Sequence, residues 1–290
     1  SMRAAKRSPH TIRQYKHAAR QMYDHLSEGG NEGRFPAGVT RQDVQALLAL
    51  WVERHATATA AHNFSGLRGA FGIFVDEGLC DSNPACGVNA PAIEETQKDV
   101  VPVEKMGEML RHLDETKQHR DAAIISLLYD TGIRASELCL IKREDVDEEE
   151  MVVVLRPSDR SIKNKEARVV SFGASTARRL RRWERTRRSS SPYLFVSERG
   201  ITAGKPLTRS GLFQMVSARF KKVGLEHIGP HDLRHTFATH FMEDPDARTD
   251  DLMTLAGWKS ESMARRYTKS RKTARAIAAH RRNSPVEKLA

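Results

Sequence analysis

Apolar residues recur at helical spacing near the start of the chain. Between positions 11 and 27 they stand three or four residues apart, or side by side, at Ile12, Tyr15, Ala19, Met22, Tyr23 and Leu26. This spacing is typical of a helix with one buried face. Thr11 with Gln14 predicts a capping box at its start, and Gly29-Gly30 predicts its end.

Two further helices are predicted before a break in the pattern. Thr40 with Asp43 marks the start of one, and the other runs from about 57 to 78, where a glycine is a suitable C-cap. A polar stretch with several prolines follows, up to Pro102, and such a stretch is typical of a linker. We therefore predict a helical domain over residues 1–95 and a second domain over residues 96–290.

The second domain changes its pattern once. Helices near 103–116 and 121–129 are followed by two β-rich runs, 151–155 and 168–172, with a polar, basic connection between them. These runs predict an antiparallel β-hairpin with a long tip. Helical patterns return at about 175–187, 208–223, 232–243 and 249–256, and from 261 onward. The predicted fold class is mainly α with a small antiparallel hairpin or sheet.

Charge is distributed unevenly along the chain. The net charge is +11, but residues 1–95 hold only 10 of the 48 Lys and Arg and 10 of the 37 Asp and Glu. The first domain is therefore neutral, and the whole positive excess lies in the second. A strongly basic domain favours a polyanionic partner such as nucleic acid.

The composition disfavours several classes of protein. No run of about 18 apolar residues occurs, so no membrane span is expected, and the first residues lack the charged-then-apolar pattern of a secretory signal. The three cysteines include no Cys-x-x-Cys pair, which is typical of reduced thiols. We expect a cytoplasmic, nucleoid-associated protein without a membrane partner.

Two segments of the second domain carry side chains suited to a phosphate. After a glycine turn, Arg134 stands at a predicted helix start, where backbone N–H groups and a guanidinium could bind one anion; Glu137 follows three residues later. His231 precedes Arg234 and His235 by three and four positions, so the three share a helical face. A histidine that moves a proton and an arginine that holds charge suit phosphoryl displacement.

Each of these signals is weak alone. Arg134 by itself would ordinarily be an ion-paired surface residue. The spacing of His231 and His235 would also fit zinc, but the glutamate of His-Glu-x-x-His is missing, and Arg234 would oppose the cation. We therefore predict a site without metal.

One of the five tyrosines stands apart. Tyr267 follows Trp258 by nine positions in a basic, weakly apolar stretch, whereas Tyr15 and Tyr23 occupy core-like helical positions. A tyrosine is ordinarily a packed side chain with a satisfied hydroxyl, so the unusual context distinguishes Tyr267 from the other tyrosines.

In this order and spacing, the segments closely resemble the tyrosine recombinase, or phage integrase, family. The resemblance runs from Arg134 through Tyr267 and is most specific over 131–138 and 231–240. It implies a helical core-binding (SAM-like) first domain and a catalytic second domain ending in an exchange helix. The implied catalytic residues are Arg134, Lys163, His231, Arg234, Trp258 and Tyr267, with Glu137, His235 and Lys165 in supporting roles.

Two positions need separate comment. Trp258 stands where many relatives carry histidine, and indole is a hydrogen-bond donor only, so its implied role is donation and packing. The family's general acid is a lysine at the hairpin tip, where Lys163 and Lys165 are both candidates. The family register favours Lys163, although only Asn164 separates the two lysines, one residue fewer than in the family pattern.

The resemblance also implies a reaction. Tyr267 would attack a DNA phosphate to give a 3′-phosphotyrosine link, and the reaction would need no cofactor, metal or ATP. The implied partners are double-stranded DNA recombination sites and three further copies of the chain in a homotetramer, with accessory DNA-bending or directionality factors as further candidates. The early start of the core-binding helix is similar to compact, Xer- or Cre-type members without an arm-binding domain.

Two rival functions use the same residues differently. A type IB topoisomerase would relax supercoils as a monomer through the same chemistry, but the resemblance over 131–138 favours a recombinase. An inactive DNA-binding regulator on this fold is disfavoured by the complete catalytic set. The target sequence and the direction of the reaction cannot be derived from these residues.

Overall fold

The computed structural model describes residues 7–93, 100–157, 167–198, 200–244, 246–268, 277 and 280–281, with backbone only for 265, 266 and 268. The described residues form eleven α-helices and one three-stranded antiparallel sheet. This confirms the predicted fold class. The chain divides into two compact units at about residue 96.

The first unit is built from three helices, α1 (Pro9–Glu28), α2 (Arg41–Arg54) and α3 (Thr57–Asp76). Its core is apolar and fully enclosed, with the buried side chains Met22, Leu26, Val44, Leu47, Trp51, Phe64, Leu67 and Phe71.

The ends of the first two helices test the capping predictions. The box of Thr40 with Asp43 is confirmed. The box of Thr11 with Gln14 is wrong, because α1 begins earlier: Ser8 is the N-cap, its hydroxyl accepts the Thr11 N–H at 3.1 Å, and Pro9 occupies the first turn. Proline suits that position because the N–H that it lacks would be unpaired there anyway.

The second unit contains the remaining elements. They are α4 (Val103–Glu115), α5 (His119–Thr131), α6 (Ala135–Leu138), β1 (Val146–Asp147), β2 (Val152–Leu155), β3 (Arg168–Ser171), α7 (Ala174–Thr186), α8 (Arg209–Lys221), α9 (Pro230–Phe241), α10 (Thr249–Ala256) and α11 (Glu261–Thr268). Helix α9 begins two residues before the predicted start, because Pro230 again fits a first turn.

The predicted hairpin is part of a larger sheet. Strands β2 and β3 pair antiparallel with Val153 opposite Val170, and both side chains are buried. The sequence analysis missed β1, which pairs with the other edge of β2; it has two residues and is too short to show an alternation.

Helix α5 lies at the centre of the second unit. Its residues from Asp121 to Leu128 are buried, and a helix that is apolar nearly all round needs neighbours on every side. Helices α4, α7, α8 and α9 supply them. The C-terminal end of α5 is therefore held firmly, and the candidate site is built on it. None of the helices in the described part of the chain has the length and apolar character needed to cross a bilayer.

Candidate active site

The turn after α5 positions Arg134. The helix ends at Gly132 in the left-handed conformation, with φ of 59°, and a Cβ there would overlap the ring of Phe237 on α9. Only glycine meets both requirements. Two residues on, Arg134 is the N-cap of α6, as predicted, and its backbone N–H donates to Glu137 at 2.8 Å.

Three arginines converge on the C-terminal end of α10. That end is a Schellman turn around Gly257, whose φ is 62°, and it presents three consecutive backbone carbonyls. Leu255 O accepts from Arg168 Nε at 3.2 Å, Ala256 O from Arg234 Nη2 at 2.7 Å, and Gly257 O from Arg134 Nη2 at 3.1 Å. The negative end of a helix dipole favours cations, so one turn orients all three guanidinium groups.

Glu137 joins two of these arginines. Its carboxylate accepts from Arg134 Nη1 at 2.9 Å and from both terminal nitrogens of Arg168 at 2.8 Å. Burial alone would raise the pKa of Glu137, but the hydrogen bonds from Arg168 and from the Arg134 backbone outweigh it and hold the pKa at about 2. The carboxylate is therefore ionised at every physiological pH and fixes the two guanidinium groups.

Arg234 is the buried arginine of the site. Its side chain donates to Gly132 O at 2.5 Å as well as to Ala256 O, and the residue is 6% exposed. Burial, followed by the charge of Arg134, lowers the pKa of Arg234 to about 10. At neutral pH the guanidinium is still protonated, and its partners in the described residues are neutral carbonyls, so its charge remains available to an anion.

Aromatic rings hold Tyr267 beside these cations. Its ring stacks on Trp258 with centroids 5.3 Å apart and an interplanar angle of 10°, and it lies 5.0 Å from the ring of His235. The guanidinium carbon of Arg234 lies 5.2 Å from the centre of the Trp258 ring. Tyr267 on α11 thus stacks on Trp258, and Trp258 in turn lies against the buried guanidinium of Arg234 on α9.

His231 lies on the first turn of α9 and is exposed. The turn is closed by Asp232, whose carboxylate accepts the Gly229 N–H at 2.9 Å. His231 stands three residues before Arg234, on the face of the helix that carries it. Its imidazole is therefore accessible to a substrate at the same end of α9.

The structure accounts for most of the predicted site residues. It brings together Arg134, Glu137, Arg234, His235, Trp258 and Tyr267, and it places His231 on the adjoining helical turn. The two candidate lysines, Lys163 and Lys165, lie outside the described residues. So does the segment after Thr268 that was predicted to form an exchange helix, apart from residues 277, 280 and 281.

Arg168 is the residue that the sequence analysis missed. It opens β3 and bridges Glu137 to the end of α10. An open cavity of about 390 Å³ lies beside it, lined also by Gly257 and Trp258. A single arginine at the start of an apolar strand was the only available signal, and this signal alone does not indicate a partner.

The arrangement can stabilise negative charge next to a phenol. Two guanidinium groups with well-defined orientations, Arg134 and Arg234, offer planar donor forks that match the non-bridging oxygens of a phosphate. Among the residues that the structure describes, no three His, Cys, Asp or Glu side chains are grouped so that they could hold a metal ion. The site is suited to phosphoryl transfer with a tyrosine nucleophile.

Comparison with known proteins agrees with this chemistry. Residues 100–274 match the phage integrase family. The chain is 31% identical to the tyrosine recombinase XerA of Thermococcus kodakarensis over 270 residues, 91% of this chain and 86% of that protein. It is 29% identical to XerC of Thermodesulfovibrio yellowstonii over 276 residues, 90% of this chain and 86% of the relative.

Two solved structures share the fold. The XerH site-specific recombinase bound to palindromic difH substrate, in a post-cleavage complex, superposes with a TM-score of 0.73 at 18% identity, covering 93% of this chain and 79% of that one. The Tn1549 transposon integrase in complex with transposon right end DNA gives a TM-score of 0.70 at 18% identity, covering 90% and 92%.

Proposed function

Because this chain belongs to the phage integrase family and is a site-specific tyrosine recombinase, we propose that Tyr267 is the nucleophile with which it cuts and rejoins DNA. The observation that carries this proposal is the stacking of Tyr267 on Trp258, whose ring also lies against the buried guanidinium of Arg234. The phenol of Tyr267 is separated from the protonated guanidinium of Arg234 by one ring, so it is placed to attack a phosphate bound at that arginine.

The bond changes follow from this placement. The Tyr267 oxygen attacks phosphorus, the bond from phosphorus to the 5′-oxygen breaks, and a 3′-phosphotyrosine link and a free 5′-hydroxyl result. A phenol of pKa about 10 ionises far more readily than an alcohol, so it attacks and leaves with comparable ease. The link retains the energy of the phosphodiester, and a 5′-hydroxyl can reverse the step without ATP.

The arginines stabilise the charge that develops on the phosphate. Arg134 and Arg234 would each donate to a non-bridging oxygen, and the carbonyls of α10 already hold both groups in orientation. Donors fixed before the reaction need no reorganisation during it. Glu137 and Arg168 act through Arg134, so we assign them as positioning residues.

His231 and Trp258 complete the phosphate site. The exposed imidazole of His231 hydrogen-bonds the phosphate or takes the proton of Tyr267. The indole N–H of Trp258 makes no hydrogen bond within the described part of the chain and is free to donate to an oxygen of the substrate. His235 packs on the Tyr267 ring and supports its position.

Duplex DNA is the partner, and several copies of the chain act on it together. Recombination joins two duplexes with two cuts in each, so we propose a homotetramer on DNA and a four-way junction as the intermediate. The segment after Thr268 would dock on a neighbouring copy. Residues 1–95 would serve as the core-binding domain and residues 96–290 as the catalytic domain, with DNA-bending or directionality factors as added partners.

The test of this function is covalent trapping without metal. The recombination site is first identified by sequencing the junctions beside the gene. A duplex of that site, nicked near the scissile phosphate, should then accumulate a covalent protein–DNA complex in excess EDTA, with the nucleotide on the tryptic peptide that contains Tyr267. Cleavage that stops on chelation would contradict the arginine-based mechanism. Supercoil relaxation without junction products would instead favour a topoisomerase.

A second experiment identifies the general acid. The leaving 5′-oxygen needs a proton, whereas a 5′-sulfur leaves without one. We expect Lys163→Ala to be slow on ordinary DNA and largely rescued on a 5′-bridging phosphorothiolate, by about 100-fold or more, because general acid catalysis contributes that much. Lys165→Ala is the matched control and should show little rescue. Rescue of the Lys165 variant instead would reverse the assignment.

A further inference from the structure

One exposed face of α7 carries four arginines. Arg178, Arg181, Arg182 and Arg185 stand at positions i, i+3, i+4 and i+7 and are all exposed. The opposite side of the helix packs Ala177, Leu180 and Trp183 into the core, so the four guanidinium groups point away from it. We refer to these four residues as the α7 arginine face.

The charges of this face are barely compensated. In the described part of the chain, Arg181 and Arg185 have no hydrogen bond or ion pair, and Arg178 donates only to the hydroxyl of Ser175. Arg182 lies 3.6 Å from Asp114, a carboxylate that already pairs with Arg179 at 2.7 Å. Like charges three and four residues apart destabilise a helix, so this row does not serve the stability of α7.

Several other arginines of the second unit form close ion pairs with carboxylates. Besides Arg134, six of them have a carboxylate within 3 Å: Arg120, Arg143, Arg156, Arg168, Arg179 and Arg219. Arg134 pairs with Glu137 at 2.9 Å. The α7 arginine face differs from these in that three arginines without a carboxylate partner in the described part of the chain, Arg178, Arg181 and Arg185, lie on one side of a single helix.

The arginines of this face affect the pKa of a nearby histidine, His119. Burial lowers the pKa of His119, and the positive charges of Arg182, Lys117 and Arg185 lower it further, against the opposing charge of Asp114. The positive charges of α7 and of the turn before α5 therefore act on the same side chain, that of His119.

The face starts at the catalytic end of the unit. Asp130, two residues before Gly132, accepts from the Gly173 N–H at 2.8 Å and from the Thr176 hydroxyl at 2.7 Å. The N-terminal end of α7 is thus fixed beside the C-terminal end of α5. Helix α7 packs against α5, so its arginine face begins near this end of α5.

We propose that the α7 arginine face binds the sugar–phosphate backbone of duplex DNA, as a contact additional to the one at Tyr267. It rests on the proposed function only in taking DNA as the polyanion. The row from Arg178 to Arg185 spans about 10 Å of helix, and 10 Å of duplex carries roughly six phosphates. Arginine forks match phosphate oxygens, and backbone contacts carry no sequence information, so this contact is independent of sequence.

The experiment measures how binding depends on salt. The full-length Arg178→Gln/Arg181→Gln/Arg185→Gln protein is titrated against a mixed-sequence duplex of about 40 base pairs at several salt concentrations. Each lost phosphate contact lowers the slope of log K against log salt by about 0.9, so the slope should shrink by about 2.7. Arg182 stays unchanged because it contacts Asp114. The melting temperature should equal or exceed that of the wild type, because the substitutions relieve repulsion.

A charge-matched control removes three lysines that already face carboxylates. Lys105 lies 2.8 Å from Glu108, Lys142 3.2 Å from Glu144, and Lys221 3.9 Å from Glu226. The three Lys→Gln changes lower the net charge equally but should leave the slope nearly unchanged. An equal loss in both proteins would mean that only bulk charge matters, which overturns the proposal.

Two further measurements separate the alternatives. Arg→Lys at the same three α7 positions keeps the charge and should retain most of the slope. If the Gln protein keeps the wild-type slope on DNA but loses binding to polyglutamate, the partner is an acidic protein and the proposal is wrong. Binding of mixed-sequence DNA does not need the nucleophile, so a failure of the Tyr267 assignment would leave this result unaffected.

Discussion

A Tyr267→Phe protein should bind its recombination site as tightly as the wild type and form no covalent complex with it. The substitution removes one oxygen and keeps the ring that stacks on Trp258 at 5.3 Å and packs on His235 at 5.0 Å. The fold around α11 is therefore preserved while the proposed nucleophile is lost. Binding is measured by electrophoretic mobility shift, and the adduct is measured on a nicked duplex by denaturing gel.

Tyr193→Phe is the matched control for this experiment. Tyr193 is partly exposed, and among the described residues its hydrogen bonds are made through its backbone: the carbonyl accepts from Arg187 and the N–H donates to the Ser191 hydroxyl. Loss of its hydroxyl should leave the adduct yield at the wild-type level. A persistent adduct in the Tyr267 variant would show that another side chain attacks the phosphate, and the central assignment would then be wrong.

The helices were predictable because their signal is local. Apolar spacing of three and four residues identified the first three helices, and the Thr40–Asp43 box placed the start of α2 correctly. The start of α1 was misplaced because two capping signals compete there. Ser8 followed by Pro9 is a stronger helix start than Thr11. Proline fits the first turn of a helix but is disfavoured in its interior, so the helix begins at Pro9.

The candidate site was predictable only in part, for a physical reason. Arg134, Arg234 and Tyr267 lie in short segments whose order resembles a known family, so their assembly could be expected. Arg168 has partners 31 and 87 positions away, Glu137 and Leu255. No periodicity in the sequence links such distant positions, because the fold alone brings them together.

The same contacts explain how an arginine site can be ready before DNA binds. Each of the three guanidinium groups donates to a carbonyl of one helix end, and two of them share the carboxylate of Glu137. Carbonyls orient a cation without cancelling its charge, whereas a carboxylate neutralises it. Arg234 has carbonyl partners, so it is the arginine with the largest free charge for the phosphate, and Arg168 is the one committed to structure.

Arg168→Gln should therefore damage both stability and cleavage. It leaves the Glu137 carboxylate, whose side chain is 16% exposed, without its bidentate partner. Removing one member of a buried pair costs about 3 kcal/mol, because the remaining carboxylate charge is then compensated only in part, by Arg134. Arg134 would then be drawn toward Glu137 and away from the phosphate. We expect an unfolding free energy about 3 kcal/mol below the wild type at pH 7, by urea denaturation, and an adduct yield at least tenfold lower.

The pKa of Glu137 determines how the loss of stability in the Arg168→Gln protein changes with pH. In the wild type the pKa of Glu137 is about 2, below its usual 4.5. The ionised carboxylate thus contributes stability that is fully present above pH 4.5 and is lost as the pH falls through about 2. Without Arg168 the pKa rises, and protonation relieves the buried charge. The stability difference between the two proteins should narrow as the pH is lowered from 7 to 4.

Two variants decide whether Arg168 acts through Glu137. Arg20→Gln breaks an arginine–carboxylate pair on α1, 2.8 Å from Asp24, in which both side chains are exposed, by 71% and 51%. Its stability and adduct yield should stay near the wild type, because exposed pairs contribute little. Arg168→Gln combined with Glu137→Gln should regain stability, since no unpaired carboxylate remains, yet still cleave poorly, because Arg134 has lost its support. If the Arg168 variant matches the wild type in stability at pH 7, or if the double variant recovers cleavage, the positioning role is wrong.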